Sequence, residues 1–378
     1  MDDSTAKLGF ATRLVHSGEE CHPFGSITTP VFDTASFVMP DFAAHSRAVR
    51  DMSGLPYYTR GYNPTVEALE GKLASIESAE AALAFSSGMG AITTTLLTLL
   101  RGGGHVVASD ELFVATATWL AEDVGAFGGA CTFVDFTDLA AVERAIRADT
   151  RALFFEELTN PTLRVLDLAK LVALGHARGV AVVVDNTFAS PALLRPAEFG
   201  ADLVVHSATK YLSGHGRVLA GTVAGRVEQI EEIREMRRRI GTGATPHNAA
   251  AVLDGMKTLQ LRVERQCGSA LHLAAVADAH PATGLVHYPG LPNHPGHALA
   301  ARLTGGRFGG MFSFTLRRPE RKSSVYDAFA VITRATSLGD VASLVDSFDS
   351  PDLLRVSVGI EDVADLTADL TAALDQAR

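Results

Sequence analysis

The middle of the chain alternates short, almost continuously apolar runs with segments of helical periodicity. Runs of this kind are typical of strands that are buried on both faces of a parallel sheet. They lie at His105–Ala108, Thr132–Asp135, Ala152–Phe155, Ala181–Val184, Leu203–His206 and Thr222–Ala224. Helical patterns such as Leu139–Ala148 and Leu166–Arg178 lie between them. This alternation predicts a doubly wound α/β fold, mostly parallel, with helices on both faces and ligands at the carboxyl ends of the strands.

The two ends of the chain have different patterns. The first sixty residues contain proline-rich loop signals and little periodicity, which indicates an arm laid over another surface, such as a second subunit. From about Pro246 a helical pattern comes first, followed by short strands at Gly310–Leu316 and Leu354–Val358 and by a helix from Val363. We therefore expect an arm at 1–55, a large α/β domain at 56–245 and a smaller α+β domain at 246–378.

Composition narrows the class of protein. The chain has 378 residues, 47% of them hydrophobic and 20% charged, which is typical of a soluble globular protein with a sizeable core. A formal net charge of −10 argues against nucleic acid or an anionic membrane as the main partner. The 3 cysteines, Cys21, Cys131 and Cys267, are far apart and indicate reduced thiols. No signal-like segment stands at the N-terminus, so we expect a cytoplasmic protein.

Polar residues that could take part in catalysis follow two of the predicted strands. Asp185 comes directly after Ala181–Val184, and Ser207, Thr209 and Lys210 follow Leu203–His206. Taken singly, such residues are more often a helix cap or a surface lysine than part of a catalytic site. Together they would place a carboxylate, two hydroxyls and an amine at one edge of the sheet.

A glycine-rich turn lies upstream of these residues. Ser86, Ser87, Gly88 and Met89 precede a helical run at Ala91–Leu100. Small residues let the backbone approach an anion, and the start of a helix offers free N–H groups and a favourable dipole. The turn is therefore a candidate phosphate cradle. The other glycine cluster, 102–104, precedes a strand and is predicted to be a helix stop, not a dinucleotide fingerprint.

Pyridoxal 5′-phosphate needs what these segments offer. Its aldehyde forms a Schiff base with a lysine, its ring nitrogen needs a carboxylate that keeps it protonated, and its phosphate needs amides and hydroxyls. Lys210, Asp185 and the pair Ser207 and Thr209 could meet these needs. We therefore expect pyridoxal 5′-phosphate as the cofactor.

Motifs along almost the whole chain resemble one family. They include Thr12–Gly18, Tyr58–Thr65, Ser86–Met89, Asn160–Pro161, Val184–Asn186, Ser207–His215, Lys257–Leu259, Tyr288–Leu291, Gly309–Phe314, Ser337–Gly339 and Arg355–Gly359. In this order they resemble the cysteine/methionine-metabolism group of pyridoxal-phosphate enzymes, which contains cystathionine γ-synthases, cystathionine lyases, methionine γ-lyases and homoserine sulfhydrylases. The resemblance implies the fold-type I transferase architecture, with 56–245 as the cofactor-binding domain.

The resemblance also implies roles for individual residues. Lys210 would be the Schiff-base lysine and proton carrier, Asp185 would pair with the ring nitrogen, and Asn160 would contact the ring's 3′ oxygen. Gly88, Met89, Ser207 and Thr209 would bind the phosphate. Arg355 would hold the substrate carboxylate with help from Ser337. Tyr58 and Arg60 would reach the phosphate of a neighbouring subunit, with Tyr58 also near the substrate, so a homodimer or homotetramer with shared sites is implied.

Four features depart from the family pattern. Phe113 stands where relatives usually have a tyrosine that stacks on the ring and assists proton transfer. Arg217 replaces a usual aspartate, and the segment between Ser343 and Arg355 is shorter. Thr336 stands where cystathionine-handling relatives often have glutamate or tyrosine.

These departures bear on the substrate. Thr336 has no acidic group that could pair with the distal ammonium of cystathionine, which favours a short amino-acid substrate. Phe113 favours a leaving group that departs without a strong acid. The hypothesis is α,γ-elimination on a methionine- or homoserine-type amino acid. γ-Replacement, a specialised γ-lyase acting on a halogenated or unsaturated amino acid, and a cofactor-binding protein without turnover stay as alternatives. The pair His294 and His297 has no obvious companion ligand, so no metal site is expected.

Overall fold

The computed structural model describes residues 8–19, 25–50 and 57–378. Cys21 and parts of the predicted arm at 1–55 lie outside the described residues. Within the arm, helices α1 and α2 cover Phe10–His16 and Phe42–Arg50. Between and beyond them the chain has few regular elements, as the lack of periodicity predicts.

A seven-stranded sheet forms the centre of the larger part of the molecule. Its strands in spatial order are β1 (Ala81–Phe85), β7 (Gly221–Gly225), β6 (Leu203–His206), β5 (Ala181–Asp185), β4 (Thr150–Glu156), β2 (Gly104–Ser109) and β3 (Gly129–Val134). All neighbouring pairs are parallel except those of β7, which runs antiparallel to both β1 and β6. The predicted mostly parallel α/β fold is thus confirmed.

Helices cover both faces of this sheet because successive strand residues point to opposite sides. Val182 and Val184 of β5 pack into one apolar core, and Val183 packs into the other. The helices are α3 (Pro64–Glu77), α4 (Gly88–Leu99), α5 (Val114–Thr118), α6 (Leu139–Ala145), α7 (Leu168–Ala177), α8 (Ser190–Leu193), α9 (Val227–Ile240) and α10 (Pro246–Lys257).

A second sheet lies in the C-terminal part of the chain. Its five strands, in the order β10, β11, β12, β9 and β8, cover Thr333–Arg334, Leu344–Ser347, Leu353–Ser357, Met311–Leu316 and Thr283–His287. The helices of this part are α11 (Leu259–Ala279), α12 (His297–Thr304), α13 (Lys322–Ala328) and α14 (Val363–Asp375). Side chains of α11, α13 and α14 share an apolar core with the sheet. The domain boundaries proposed at 55/56 and 245/246 stay predictions.

Strand β1 was not predicted. Its sequence, Ala-Ala-Leu-Ala-Phe, is poor in β-branched residues and resembles a helix as much as a strand. It becomes a strand because it pairs with β7 along its whole length. This pairing needs Gly221, where an added Cβ would lie 2.0 Å from the carbonyl oxygen of Ser87.

The charged helix α9 differs from the sequence interpretation at one residue. From the sequence alone, the charged run Arg237–Arg239 predicts a solvated helix face, but Arg237 is buried and donates to Glu70 Oε1 and to the carbonyl oxygen of Ala84, both at 2.6 Å. The prediction is wrong for this residue because it treats the run as one surface. A helix turns by about 100° over each residue, so neighbours point in different directions.

Within the described ranges, no helix is long and apolar enough to cross a membrane. The same residues contain no cluster of His, Cys, Asp or Glu that could hold a metal ion.

Candidate active site

The carboxyl ends of β5 and β6 bring Asp185 and Ser207 together. Asp185 is the last residue of β5, and its Oδ1 accepts hydrogen bonds from the backbone N–H and the hydroxyl of Thr187, at 3.0 and 2.5 Å. The same hydroxyl accepts a bond of 2.8 Å from the backbone N–H of Ser207. Thr187 therefore fixes one oxygen of the carboxylate and ties the two strand ends to each other.

Asp185 is a buried acid that lacks an ion pair with lysine or arginine in the described parts of the chain. Burial raises the pKa of Asp185, while the two hydrogen bonds from Thr187 and the charge of His206 act in the opposite direction. A cation placed beside it would lower the pKa and stabilise the carboxylate. A protonated ring nitrogen is such a cation, so the residue fits the role predicted for it.

The glycine turn forms a cradle at the start of α4. Ser87 caps the helix by accepting a bond of 3.0 Å from the backbone N–H of Gly90. Gly88 packs against Ser207 so closely that an added Cβ would lie 2.8 Å from its Cβ. The helix N-terminus and the Ser207 loop thus meet with space only for a hydrogen, and first-turn N–H groups remain for an anion.

The remaining predicted phosphate ligands flank this cradle. Met89 is half-buried in the first turn of α4, and its sulfur accepts a contact of 3.5 Å from the hydroxyl of Thr116. Thr209 is held by Ala220, whose N–H donates to its hydroxyl at 3.0 Å. The arrangement of helix start, serine and threonine fits a phosphate group.

Lys210 reaches from this edge toward the C-terminal part of the molecule. Its Nζ donates to the hydroxyl of Ser337 over 2.7 Å. Burial lowers the pKa of the Lys210 amine, the charge of Arg355 lowers it further, and Asp346 opposes both. A lowered pKa favours the neutral amine that can attack an aldehyde or accept a proton.

Arg355, in β12, is surrounded by groups that orient its guanidinium. Its two terminal nitrogens donate to Asn160 Oδ1 at 2.7 Å and to Asp346 Oδ2 at 3.1 Å, and the ring of Phe348 lies 4.7 Å from its Cζ. A further bond of 3.3 Å joins it to the carbonyl oxygen of Ser337. Its Nε is buried and has no partner in the structure, which leaves a donor for a substrate carboxylate.

Phe113 stands immediately before α5 with 43% of its surface exposed. Its backbone N–H donates to Oε1 of the buried Glu156 at 2.6 Å. An exposed phenyl ring that is anchored through its backbone suits stacking on a flat heterocycle. The position lacks a hydroxyl, as the sequence already indicates.

Among the described residues of the single chain, four predicted residues have no contact that tests their predicted roles. The guanidinium of Arg60 lies 5.6 Å from the ring of Tyr58 and donates to the carbonyl oxygen of Arg238 at 2.7 Å, so both residues lie beside the end of α9. Thr336 and Arg217 are exposed. The roles predicted for these four residues stay predictions.

Sequence reasoning missed Thr187, Glu156, Asp346 and Phe348. Each lies close in sequence to a predicted element, but none belongs to a recognisable motif. The only available signal was the position of Glu156 at the end of a buried strand, where an acid needs a reason to be present.

Comparison with known proteins decides the family. The profile of the Cys/Met metabolism PLP-dependent enzymes matches residues 11–375. This chain is a member of that family. It is therefore a pyridoxal-phosphate-dependent enzyme, as the motifs and the strand-end residues predict.

Several relatives of known activity are similar over their full length. L-Methionine gamma-lyase of Pseudomonas putida is 40% identical, with 99% of each chain covered. Cystathionine beta-lyase of Coxiella burnetii is 36% identical over 98% of this chain and 99% of the relative. O-Succinylhomoserine sulfhydrylase of Pseudomonas aeruginosa is also 36% identical, over 99% of this chain and 97% of the relative.

Solved structures agree with the fold. The metB protein of Corynebacterium glutamicum has a TM-score of 0.91 and 35% identity, with 99% of this chain and 100% of that chain covered. A putative O-acetylhomoserine (thiol)-lyase of Campylobacter jejuni, described with N′-pyridoxyl-lysine-5′-monophosphate, has a TM-score of 0.94 and 27% identity over 98% of this chain and 100% of that chain. The fold-type I architecture is confirmed.

Proposed function

We propose that this enzyme catalyses α,γ-elimination on a methionine- or homoserine-type amino acid that carries a γ leaving group. The contact between Lys210 Nζ and Ser337 Oγ carries the proposal. The contact holds a partly desolvated amine beside Ser337, whose carbonyl oxygen accepts a hydrogen bond from Arg355, the residue proposed to bind the substrate carboxylate. An amine in that position can serve both the α- and the β-carbon of an amino acid whose carboxylate is held by Arg355.

The residues divide the work as follows. When bound, pyridoxal 5′-phosphate supplies an aldehyde that holds the substrate amine and a ring that accepts electrons from the α-carbon. Asp185 would keep the ring nitrogen protonated, Asn160 would contact the 3′ oxygen, and Phe113 would stack on the ring. Gly88, Met89, Ser207 and Thr209 would hold the phosphate through N–H and hydroxyl groups.

Lys210 and Arg355 act on the substrate. The guanidinium of Arg355, aided by Ser337, orients the α-carboxylate, which fixes the direction of the Cα–H bond. Lys210 Nζ removes the α-proton and carries protons between the α- and β-carbons. Loss of a β-proton then expels the γ-substituent, and hydrolysis releases a 2-oxo acid and ammonia.

γ-Replacement is the second candidate, and Phe113 favours it. A phenyl ring cannot donate a proton, so a thiolate leaving group receives no help from this position, whereas an acyloxy group or a halide needs little. The similar O-succinylhomoserine sulfhydrylase has a name that describes a γ-replacement reaction. A specialised γ-lyase acting on a halogenated or unsaturated amino acid is compatible with the same observation.

We also propose a homo-oligomer, a dimer or a tetramer, in which Tyr58 and Arg60 serve the neighbouring site. Ile27, Val38 and Phe42 support this proposal, because their side chains are 94%, 96% and 84% exposed in the single chain. Apolar side chains so exposed are typical of surfaces that a second copy covers. Cytoplasmic location remains the expectation from the sequence.

The test is a substrate panel with the purified holoenzyme. Methionine, O-acylated homoserines and γ-halogenated amino acids are supplied with and without an added thiol, and ammonia, 2-oxo acid and thioether are measured. Elimination predicts stoichiometric ammonia and oxo acid without thiol. Thioether formation with suppressed ammonia would establish replacement instead.

A control separates chemistry at Lys210 from background reaction. Lys170 is an exposed lysine on α7, paired with Asp167, and Lys170→Ala removes the same charge at a residue that is not part of the proposed site. We expect Lys210→Ala to abolish turnover and Lys170→Ala to retain it. Turnover by the Lys210→Ala protein would refute the assignment.

A further inference from the structure

Glu156 lies beside the cofactor carboxylate Asp185. The two residues are register partners at the ends of the parallel strands β4 and β5. Phe154 and Val183 pack into the core that α4 covers, so the alternation of strand side chains points Glu156 and Asp185 to that same face. Neighbouring strands are about 4.8 Å apart, which makes these carboxyl groups close neighbours.

The surroundings of Glu156 are unusual for an ionised acid. The residue is 5% exposed, its Oε1 accepts the 2.6 Å bond from the backbone N–H of Phe113, and its Oε2 is buried with no partner in the structure. The described residues provide it with no ion pair. Glu111, which lies nearby, is by contrast bonded to Arg164, Thr159 and Thr162.

Two adjacent buried carboxyl groups cannot both carry a negative charge at moderate cost. The ring nitrogen of the cofactor provides one cation, and Asp185, whose Oδ1 is already fixed by Thr187, is placed to meet it. Burial and the charge of Asp185 raise the pKa of Glu156 well above its usual value, and Glu111 adds to this effect. Backbone hydrogen bonds from Phe113 and Asn160 oppose this rise of the pKa. The charge of Arg355 also interacts with Glu156, but this guanidinium is bonded to Asp346.

We propose that Glu156 is a positioning residue that acts in its neutral, protonated form. One oxygen anchors the backbone of Phe113 and so sets the position of the ring-stacking side chain. The other oxygen holds the proton, so that Asp185 is the single anion at the ring nitrogen. The inference rests on the cofactor site proposed above and goes beyond it. Glu156 links Phe113, which would stack on the face of the ring, to Asp185, which would pair with the ring nitrogen.

The test compares two substitutions. Glu156→Gln is neutral and keeps an oxygen that can accept the N–H of Phe113, whereas Glu156→Ala removes the acceptor and leaves that N–H without a partner. Cofactor affinity of the apoenzyme is measured by fluorescence quenching, and the visible absorption band of the bound cofactor is titrated with pH. We expect Glu156→Gln to match the wild type in both, and Glu156→Ala to bind the cofactor about tenfold more weakly with an altered band.

Glu157 provides a matched control. It is the next residue, just beyond the end of β4, and is 1% exposed, with both carboxylate oxygens buried and without hydrogen-bond partners in the structure. Glu157→Gln makes the same chemical change next to the site but not in it. We expect it to leave cofactor affinity and the absorption titration unchanged.

The outcomes separate this inference from the proposed site as a whole. If Glu156→Gln weakens cofactor binding or shifts the absorption titration as strongly as Glu156→Ala, the acid is needed as an anion and the inference is wrong. Should Glu156→Ala fail to fold, the Glu156→Gln titration alone decides. Wild-type protein that binds no pyridoxal phosphate at all would contradict the site itself, not only the role of Glu156.

Discussion

The cofactor side and the substrate side of the site are built in different ways. On the cofactor side, Asp185, Ser207 and the start of α4 are strand ends and a helix end of one sheet domain. Their positions follow from the register of β5 and β6 and from the contact between Gly88 and Ser207. On the substrate side, Arg355 of β12 is in register with Asp346 of β11, and its guanidinium is oriented by side-chain contacts with Asp346, with Asn160 and with Phe348 of the loop after β11.

The orientation of Arg355 depends partly on a loop in which the sequence departs from the expected family pattern. A group placed by sheet register cannot move without disturbing the core, whereas a group placed by loop contacts can be retuned by a single substitution. The short segment between β11 and β12 is such a loop. It places Phe348 against Arg355 and is itself held by Lys322, which donates to the carbonyl oxygens of Phe348 and Ser350.

The largest effect is expected on the cofactor side. Asp185→Asn removes the anion that pairs with the ring nitrogen, and breaking a buried charge pair costs about 3 kcal/mol or more. Cofactor affinity of the apoenzyme, measured by equilibrium titration, should fall roughly a hundredfold. An Asp185→Asn protein that binds cofactor as tightly as the wild type would show that Asp185 does not face the ring nitrogen.

Arg355→Leu should weaken substrate binding and leave cofactor binding unchanged. Loss of a bidentate guanidinium from a substrate carboxylate costs about 2 kcal/mol or more, so KM should rise roughly thirtyfold while cofactor affinity stays unchanged. Steady-state kinetics and the same cofactor titration check this. Equal losses in both quantities would mean that the two sides are one coupled unit and that the comparison fails.

Phe113→Tyr tests the departure from the family pattern at position 113, where relatives usually have a tyrosine. A phenol at this position can donate a proton to a departing thiolate, so kcat on thioether substrates should rise by about tenfold. Rates on acyloxy substrates, which need no such donor, should hardly change. An equal change on both substrate types would show that the hydroxyl acts on the cofactor rather than on the leaving group.

Asp346→Asn should have the smallest effect. Asp346 pairs with Arg355 and competes with the substrate carboxylate, so its neutralisation should lower KM by about threefold. Asp349→Asn makes the same charge change at an exposed position in the loop that follows β11 and should leave KM unchanged. A rise in KM for Asp346→Asn would show that the pair mainly orients Arg355 and does not compete with substrate.

Local signals in the sequence indicate the proposed cofactor side, whereas the residues that surround Arg355 on the proposed substrate side have no such signal. Asp185, Lys210, Ser207 and the glycine turn could be located because strand ends and helix starts have local signals in the chain. The register that makes Glu156 a neighbour of Asp185 has no such signal, since it depends on how β4 and β5 pair. The Arg355 surroundings likewise join residues as far apart as 160 and 355, which no local pattern links.

Local sequence also fails to predict the strand β1 and the burial of Arg237. The strand β1 exists because β7 approaches it, and Arg237 is buried because Glu70 and Ala84 meet it across the core. Both depend on tertiary contacts that override local preference. The alternation of apolar strand runs with helical segments, in contrast, correctly predicts the mostly parallel sheet.

The attachment point of the cofactor tests the central claim most directly. Borohydride reduction of the purified holoenzyme fixes the bond between lysine and cofactor aldehyde, and peptide mass spectrometry then locates the modified lysine. The account predicts a single phosphopyridoxyl label on Lys210. A label on another lysine, such as Lys72 or Lys257, with Lys210 unmodified would contradict it.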